Sequence, residues 1–182
     1  MTPRTESLIR QFYPADPQLH QLLFTHSRCV AELALDIAAR HPELHADTQF
    51  IEEAAMLHDI GIGRCDAPGI FCHGELPYIC HGVEGARILA EAGLLRHARV
   101  CERHTGSGLT AAEIEAQALP LPHRDMLPVS IEEKIICYAD KFFSKNPDSL
   151  TRRKSLDEVL KDIERHGKEP LSRFLCLHNL LK

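Results

Sequence analysis

Four histidines and two aspartates, His26, His58, Asp59, His81, His104 and Asp140, punctuate this chain in the order H, HD, H, H, D. Neutral imidazole and carboxylate are ligands that borderline and hard divalent cations accept. Brought together, six such groups fill most of the coordination shell of two adjacent ions. The successive histidines and Asp140 stand 32, 23, 23 and 36 residues apart, so only tertiary structure can gather them.

The elements that must do the gathering are helices. Leu19, Leu22, Leu23, Val30, Leu33, Ala34 and Ile37 recur at the three-and-four spacing of one buried helix face, and His26 lies on that stripe. A second helix is predicted from Thr48 to Ile60, with Ile51, Ala54 and Ala55 inward, His58 continuing the row, and Gly61 and Gly63 ending it. Residues 62–80 carry Pro68, Pro77 and several glycines and read as a long irregular loop, a lid or rim over a site. Further helices are predicted over 82–92 and 94–103. Capping boxes at Thr110–Glu113, Ser130–Glu133 and Ser155–Glu158 open three more.

The helix after Ser130 turns Ile131, Ile135, Ile136, Ala139 and Phe143 inward, the one after Ser155 ends at Gly167, and LSRFLCLHNLL closes the chain. Pro120, Pro122 and Pro128 make 119–128 a connection. No alternating strand pattern occurs, so the fold class is all-α. At 182 residues the expectation is a single domain over 1–182, with a core over 20–145 and the helices of 150–182 packed on it.

Asp140 sits beside an inward row, and burying an ionised carboxylate without a partner costs several kcal/mol or more. A divalent cation removes that cost. The 21 basic and 26 acidic residues give a net charge of −5 with no long run of one sign, which speaks against duplex nucleic acid as a partner. No apolar stretch reaches the ~20 residues that span a bilayer, so no membrane partner is expected. The opening MTPRTESLIR lacks the apolar core of a signal peptide. Seven cysteines, none in a CxxC pair, fit free thiols in a reducing compartment, and the expected location is cytoplasmic.

AAMLHDIGIG (residues 54–63), CHGVEGA around His81 and RHTGSG around His104, with His26 and Asp140, together resemble the HD superfamily of metal-dependent phosphohydrolases, in its HDIG-type, six-ligand binuclear subset. The resemblance runs over about residues 20–145 and implies a compact helical bundle with the site at its centre. It implies that His26, His58, Asp59 and Asp140 hold one ion, and that Asp59 bridges to a second held by His81 and His104. The ions would be iron, manganese or another transition metal, and His58 and Asp59 the catalytic pair. A metal-activated hydroxide would hydrolyse a phosphoester or phosphoanhydride of a small phosphorylated substrate such as a nucleotide. The same ligand order occurs in diiron oxygenases of the HD fold. A nucleotide-binding module without turnover and an RNA nuclease are further readings, the last disfavoured by the acidic balance. Oligomeric state is left open.

Around the ligands, Thr105, Gly106, Ser107 and Gly108 form a glycine-containing turn before a helix start, either an anion nest or a plain connection. Arg64 is a candidate substrate contact, because Ile62 stands where many relatives carry a lysine. Lys141 faces either substrate or solvent, and Arg28 faces solvent. Glu84 is a candidate partner for a ligand histidine. Cys65, Cys72, His73 and Cys80 lack the spacing of zinc modules. His20, His41, His45, His97, His123, His166 and His178 read as surface or packing residues.

Overall fold

The computed structural model describes residues 2–182 and is all-α, with nine α-helices among the described residues. The first, α1 (Pro3–Phe12), lies outside the sequence expectation. Thr2 caps it, Pro3 opens it, and Ile9 is the one fully buried apolar side chain it contributes, too short a stripe to read as periodicity. Next, α2 (Pro17–Arg40) is the spine. The Asp16 carboxylate accepts from Leu19 N–H, and the predicted apolar stripe is buried throughout, with His26 inside it.

The third helix, α3 (Thr48–Leu57), is capped by Asp47 and stops three residues before the expected Ile60. His58 and Asp59 leave the helix, and Ile60–Arg64 continues as a 3₁₀ turn. Gly61 is therefore not a left-handed helix cap. Its backbone lies so close to the next helix that an added Cβ would stand 2.1 Å from His81 O and 2.4 Å from Gly85 N. Glycine is required there by close approach.

The loop that follows contains two strands of two residues, β1 (Asp66–Ala67) and β2 (Cys72–His73), paired antiparallel with Asp66 opposite His73. Elements this short show no alternation, which is why the sequence predicted no strand. Next come α4 (His81–Glu91) and α5 (Leu95–Arg103), packed on each other. After α6 (Ala111–Ala116), α7 (Ile131–Asp140) packs on α2, α3 and α5. The chain closes with α8 (Leu156–Glu164) and α9 (Lys168–Leu181). In α9, Phe174 stacks on Tyr138 of α7 at 5.3 Å between ring centroids.

Apolar side chains from Ile9 to Leu181 form one contiguous core. Complete capping boxes form at Thr110 and Ser155. At Ser130 only half of one forms, because the Glu133 carboxylate turns instead to Val129 N–H and Arg103. Among the described residues no helix is long and apolar enough to cross a membrane.

Candidate metal centre

All six sequence-selected ligands converge, and each is at most 5% exposed. His26 comes from mid-α2, His58 and Asp59 from the break after α3, His81 from the first residue of α4, His104 from the end of α5, and Asp140 from the last residue of α7. His26 Nε2 lies 3.0 Å from Asp140 Oδ1 and 3.2 Å from Asp59 Oδ2. His58 Nε2 lies 3.1 Å from Asp59 Oδ2 and 3.4 Å from Asp140 Oδ1. On the other side, Asp59 Oδ1 lies 3.3 Å from His104 Nε2 and 3.6 Å from His81 Nε2, which are themselves 3.2 Å apart.

The ligand atoms thus form two groups, His26–His58–Asp59–Asp140 and Asp59–His81–His104, each with its ligand atoms within 4.8 Å of one another. Asp59 belongs to both, offering one oxygen to each.

Three of the histidines are oriented by one local device. His58 Nδ1 lies 2.6 Å from Ala55 O, His81 Nδ1 2.7 Å from Tyr78 O, and His104 Nδ1 2.8 Å from Cys101 O. Each ring ends a helical turn and donates to the carbonyl three residues back; Tyr78 O accepts the His81 backbone N–H as well. A carbonyl can only accept, so Nδ1 carries the proton and Nε2 of the neutral ring presents its lone pair to the cluster. His26 lies mid-helix and its Nδ1 has no such partner.

The donors fit divalent ions better than they fit one another. His58 Nε2 and both Asp59 oxygens are buried and make no hydrogen bond of acceptable geometry, despite the short separations. Such groups are costly unless satisfied. Burial opposes a charge on His58, but Asp59 and Asp140 overcome it and raise this imidazole to about 9. Burial, helped by His104 and Lys145 and opposed by Asp59, holds His81 down at about 3. Burial likewise lowers His104. For Asp59, burial is outweighed by His58 and Lys145, and for Asp140 by Lys141 and Lys145, so both carboxyls lie well below the usual range.

Lys145, absent from the sequence reading, places Nζ 2.7 Å from Asp59 Oδ2 and 3.9 Å from Asp140 Oδ1. The sequence extends the helix of Asp140 to Phe143, whereas α7 ends at Asp140 and the chain turns, directing Lys145 back over the cluster. Lys141, a candidate for substrate or solvent, is turned inward. Its Nζ is 2.7 Å from Asp140 Oδ2 and donates to His104 O.

The remaining candidates separate. Arg64 is exposed and lines a different cleft with Phe12 and Ile88, away from the cluster. Glu84 is held by Arg87 at 3.0 Å, and His81 takes its partner from the backbone instead. In the Thr105–Gly108 turn, Gly108 N–H donates to Thr105 O and Ser107 Oγ donates to Pro170 O, so this segment is largely spent on the fold. Gly106 still lines the cleft beside Asp140. Arg28 faces solvent beside Glu32. Cys65, Cys72 and Cys80 are buried with thiols on separate carbonyls, and among the described residues they form no metal-ligand group. His97 is buried, edge-on to Phe50 and 3.5 Å from Glu53.

A buried imidazole–carboxylate cluster gathered from the ends of four helices and the middle of a fifth, centred on a His-Asp dipeptide, is the arrangement of an HD domain. The chain matches the HD domain family over residues 23–144 and belongs to it. It is 36% identical over 167 residues to an uncharacterized protein of Methanocaldococcus jannaschii, covering 86% of this chain and 88% of that one. It is also similar to two proteins named tRNA (cytidine(56)-2'-O)-methyltransferase. The one from Picrophilus torridus is 36% identical over 124 residues, 68% of this chain and 32% of the relative. The one from Thermoplasma volcanium is 33% identical over 161 residues, 87% of this chain and 41% of the relative. The chain therefore spans well under half of either methyltransferase. No solved structure matches it.

Proposed function

We propose that this HD-domain chain is a metal-dependent phosphohydrolase with a six-ligand, binuclear site, hydrolysing a phosphoester or phosphoanhydride of a small phosphorylated substrate, with nucleotides among the candidates. The observation that carries this reading is Asp59 dividing its two oxygens between two histidine pairs, with Lys145 at its edge. His26, His58, Asp59 and Asp140 would hold one divalent ion, and Asp59, His81 and His104 the other. Bound there, the ions would supply Lewis acidity toward phosphate oxygens and acidify a water. The chain's own part is to hold His58, His81 and His104 as neutral Nε2 ligands through their carbonyl contacts, to exclude solvent, and to offer a cation to the phosphate through Lys145.

That cation favours an anionic substrate over the C–H substrate of a diiron oxygenase. Both methyltransferase names belong to proteins of which this chain spans a minority, and the cluster is a metal-ligand set. The contiguous core supports reading 1–182 as one domain.

The test is elemental analysis of protein purified without chelator, followed by phosphate-release and oxygen-uptake assays on the same sample. Two ions per chain with phosphate release support the proposal. Oxygen uptake without phosphate release would replace it with the oxygenase.

A further inference from the structure

Two clefts meet at Lys145. One, of about 250 Å³, runs past Asp140, Lys141, Lys154 and His166. The other, of about 500 Å³, lies under the β1–β2 segment and is walled by Ala67, Pro68, Ile70 and Tyr78, with Ser144 and Asn146 at its edge.

A phosphate held at the ligand cluster beside Lys145 has these two directions in which to send its organic part, and the charges decide between them. In the first cleft Lys154 pairs with Asp162 at 2.8 Å, and Lys141, 2.7 Å from Asp140, also donates to His104 O, a bond that neutralising Asp140 leaves in place. A second phosphate placed there would have to break these contacts. Lys145 pairs with the carboxylates that divalent ions would neutralise and meets the Tyr78 hydroxyl at the mouth of the second cleft, and its flexible stem lets it turn to an anion. The second cleft is larger and mostly carbon. Its wall also touches the ligands, because the Tyr78 ring stacks on His81 at 4.7 Å and Tyr78 O accepts the His81 Nδ1 proton.

We infer that the cleft under β1–β2 receives a flat apolar or aromatic group of a phosphate monoester whose phosphate Lys145 holds at the ligand cluster, and that a polyphosphate chain is disfavoured. This inference rests on the phosphohydrolase reading for turnover, but the binding it describes does not require turnover.

The test uses the full chain loaded with metal and three probes, the non-hydrolysable phenylphosphonate and methylphosphonate and inorganic pyrophosphate, whose cleavage is checked by phosphate release, with affinities measured by calorimetry. Burying a phenyl ring should make phenylphosphonate bind at least about tenfold tighter than methylphosphonate. Gly69 is exposed in the 3₁₀ turn that includes Ile70, and a Cβ there would meet nothing within 4 Å. Gly69→Asp therefore places a charge at the rim without a packing cost, and the affinity ratio should fall towards one. Ile70→Asp should do the same from the cleft wall. Equal affinity for the two phosphonates, a preference unchanged in Gly69→Asp, or tighter binding of pyrophosphate than of phenylphosphonate would overturn the inference. Phosphate release from phenyl phosphate is followed in parallel. Preference without release would sink hydrolysis and keep the cleft assignment, and release without preference would do the reverse.

Discussion

His58 and Asp59 are adjacent in the chain, yet Nε2 of one lies 3.1 Å from Oδ2 of the other. Side chains one residue apart on a helix point in different directions. They meet because α3 stops at Leu57 and Asp59 takes up φ −107°, ψ 9°. The dipeptide can serve one ion only at a helix break, and Gly61 lets the chain pack tightly enough against α4 to make that break.

Asp59→Ala should therefore remove both ions rather than one, and lower phosphate release by at least about 10³-fold, the worth of several kcal/mol of metal assistance. Elemental analysis and a phosphate-release assay on the same preparation check this. A variant that keeps an ion and its activity would rule out a bridging Asp59.

His81→Ala and His104→Ala should each lower occupancy of one ion and leave the other, because neither belongs to the His26–His58–Asp59–Asp140 group, although the His104 ring packs edge-on to His58 at 4.9 Å. Titration of the chelated variants with manganese, followed by calorimetry, should show one tight site in place of two. Two undiminished sites in both variants would refute the second ion's ligand set.

Lys145→Met keeps the apolar stem and removes the charge. The expected result is unchanged metal content with KM for a phosphate ester raised about 10- to 100-fold, the loss of one charge-assisted hydrogen bond. An unaltered KM would place Lys145 in a purely structural pairing with Asp59.

The six clustered side chains were legible because metal chemistry restricts residue types, and because His26 and His58 continue apolar rows that point inward. Lys145 was not legible. Its approach depends on α7 ending at Asp140, and the row that suggested an end at Phe143 continues beyond the helix through packing alone. The role of Tyr78 was equally hidden, since its backbone carbonyl orients His81 and any residue type would supply that group. Arg64, a candidate because Ile62 stands where many relatives carry a lysine, is carried by the 3₁₀ turn after Asp59 to an exposed position beside another cleft.

Gly61→Ala should destabilise the protein by roughly 1–3 kcal/mol, the usual cost of forcing atoms into a packed interior. The colliding atoms are backbone, His81 O and Gly85 N, so no rotamer change relieves them. Urea denaturation should show the loss. Relief by moving α4 would carry His81 with it, so the second ion should weaken in the same variant. A neutral Gly61→Ala would mean the two backbones are not in contact.

The chelated protein should also lose stability as pH rises from about 6.5 to about 9. In the unfolded chain His58 titrates near 6.5, whereas in the fold the carboxylates of Asp59 and Asp140 raise it to about 9. The folded state therefore holds an extra proton across that window, and stability must fall through it, by at most about 3 kcal/mol for one buried group. His81 works the other way. Held neutral down to about 3, it costs stability as acid protonates only the unfolded chain below about 6.5. The chelated protein should thus be most stable near the crossover of the two. With metal bound, His58 must be a neutral ligand and the alkaline loss disappears. Thermal melts from pH 5 to 9.5, with and without chelator, test this. A Tm equally flat above pH 6.5 in both series would show that Asp59 and Asp140 do not hold an extra proton on His58.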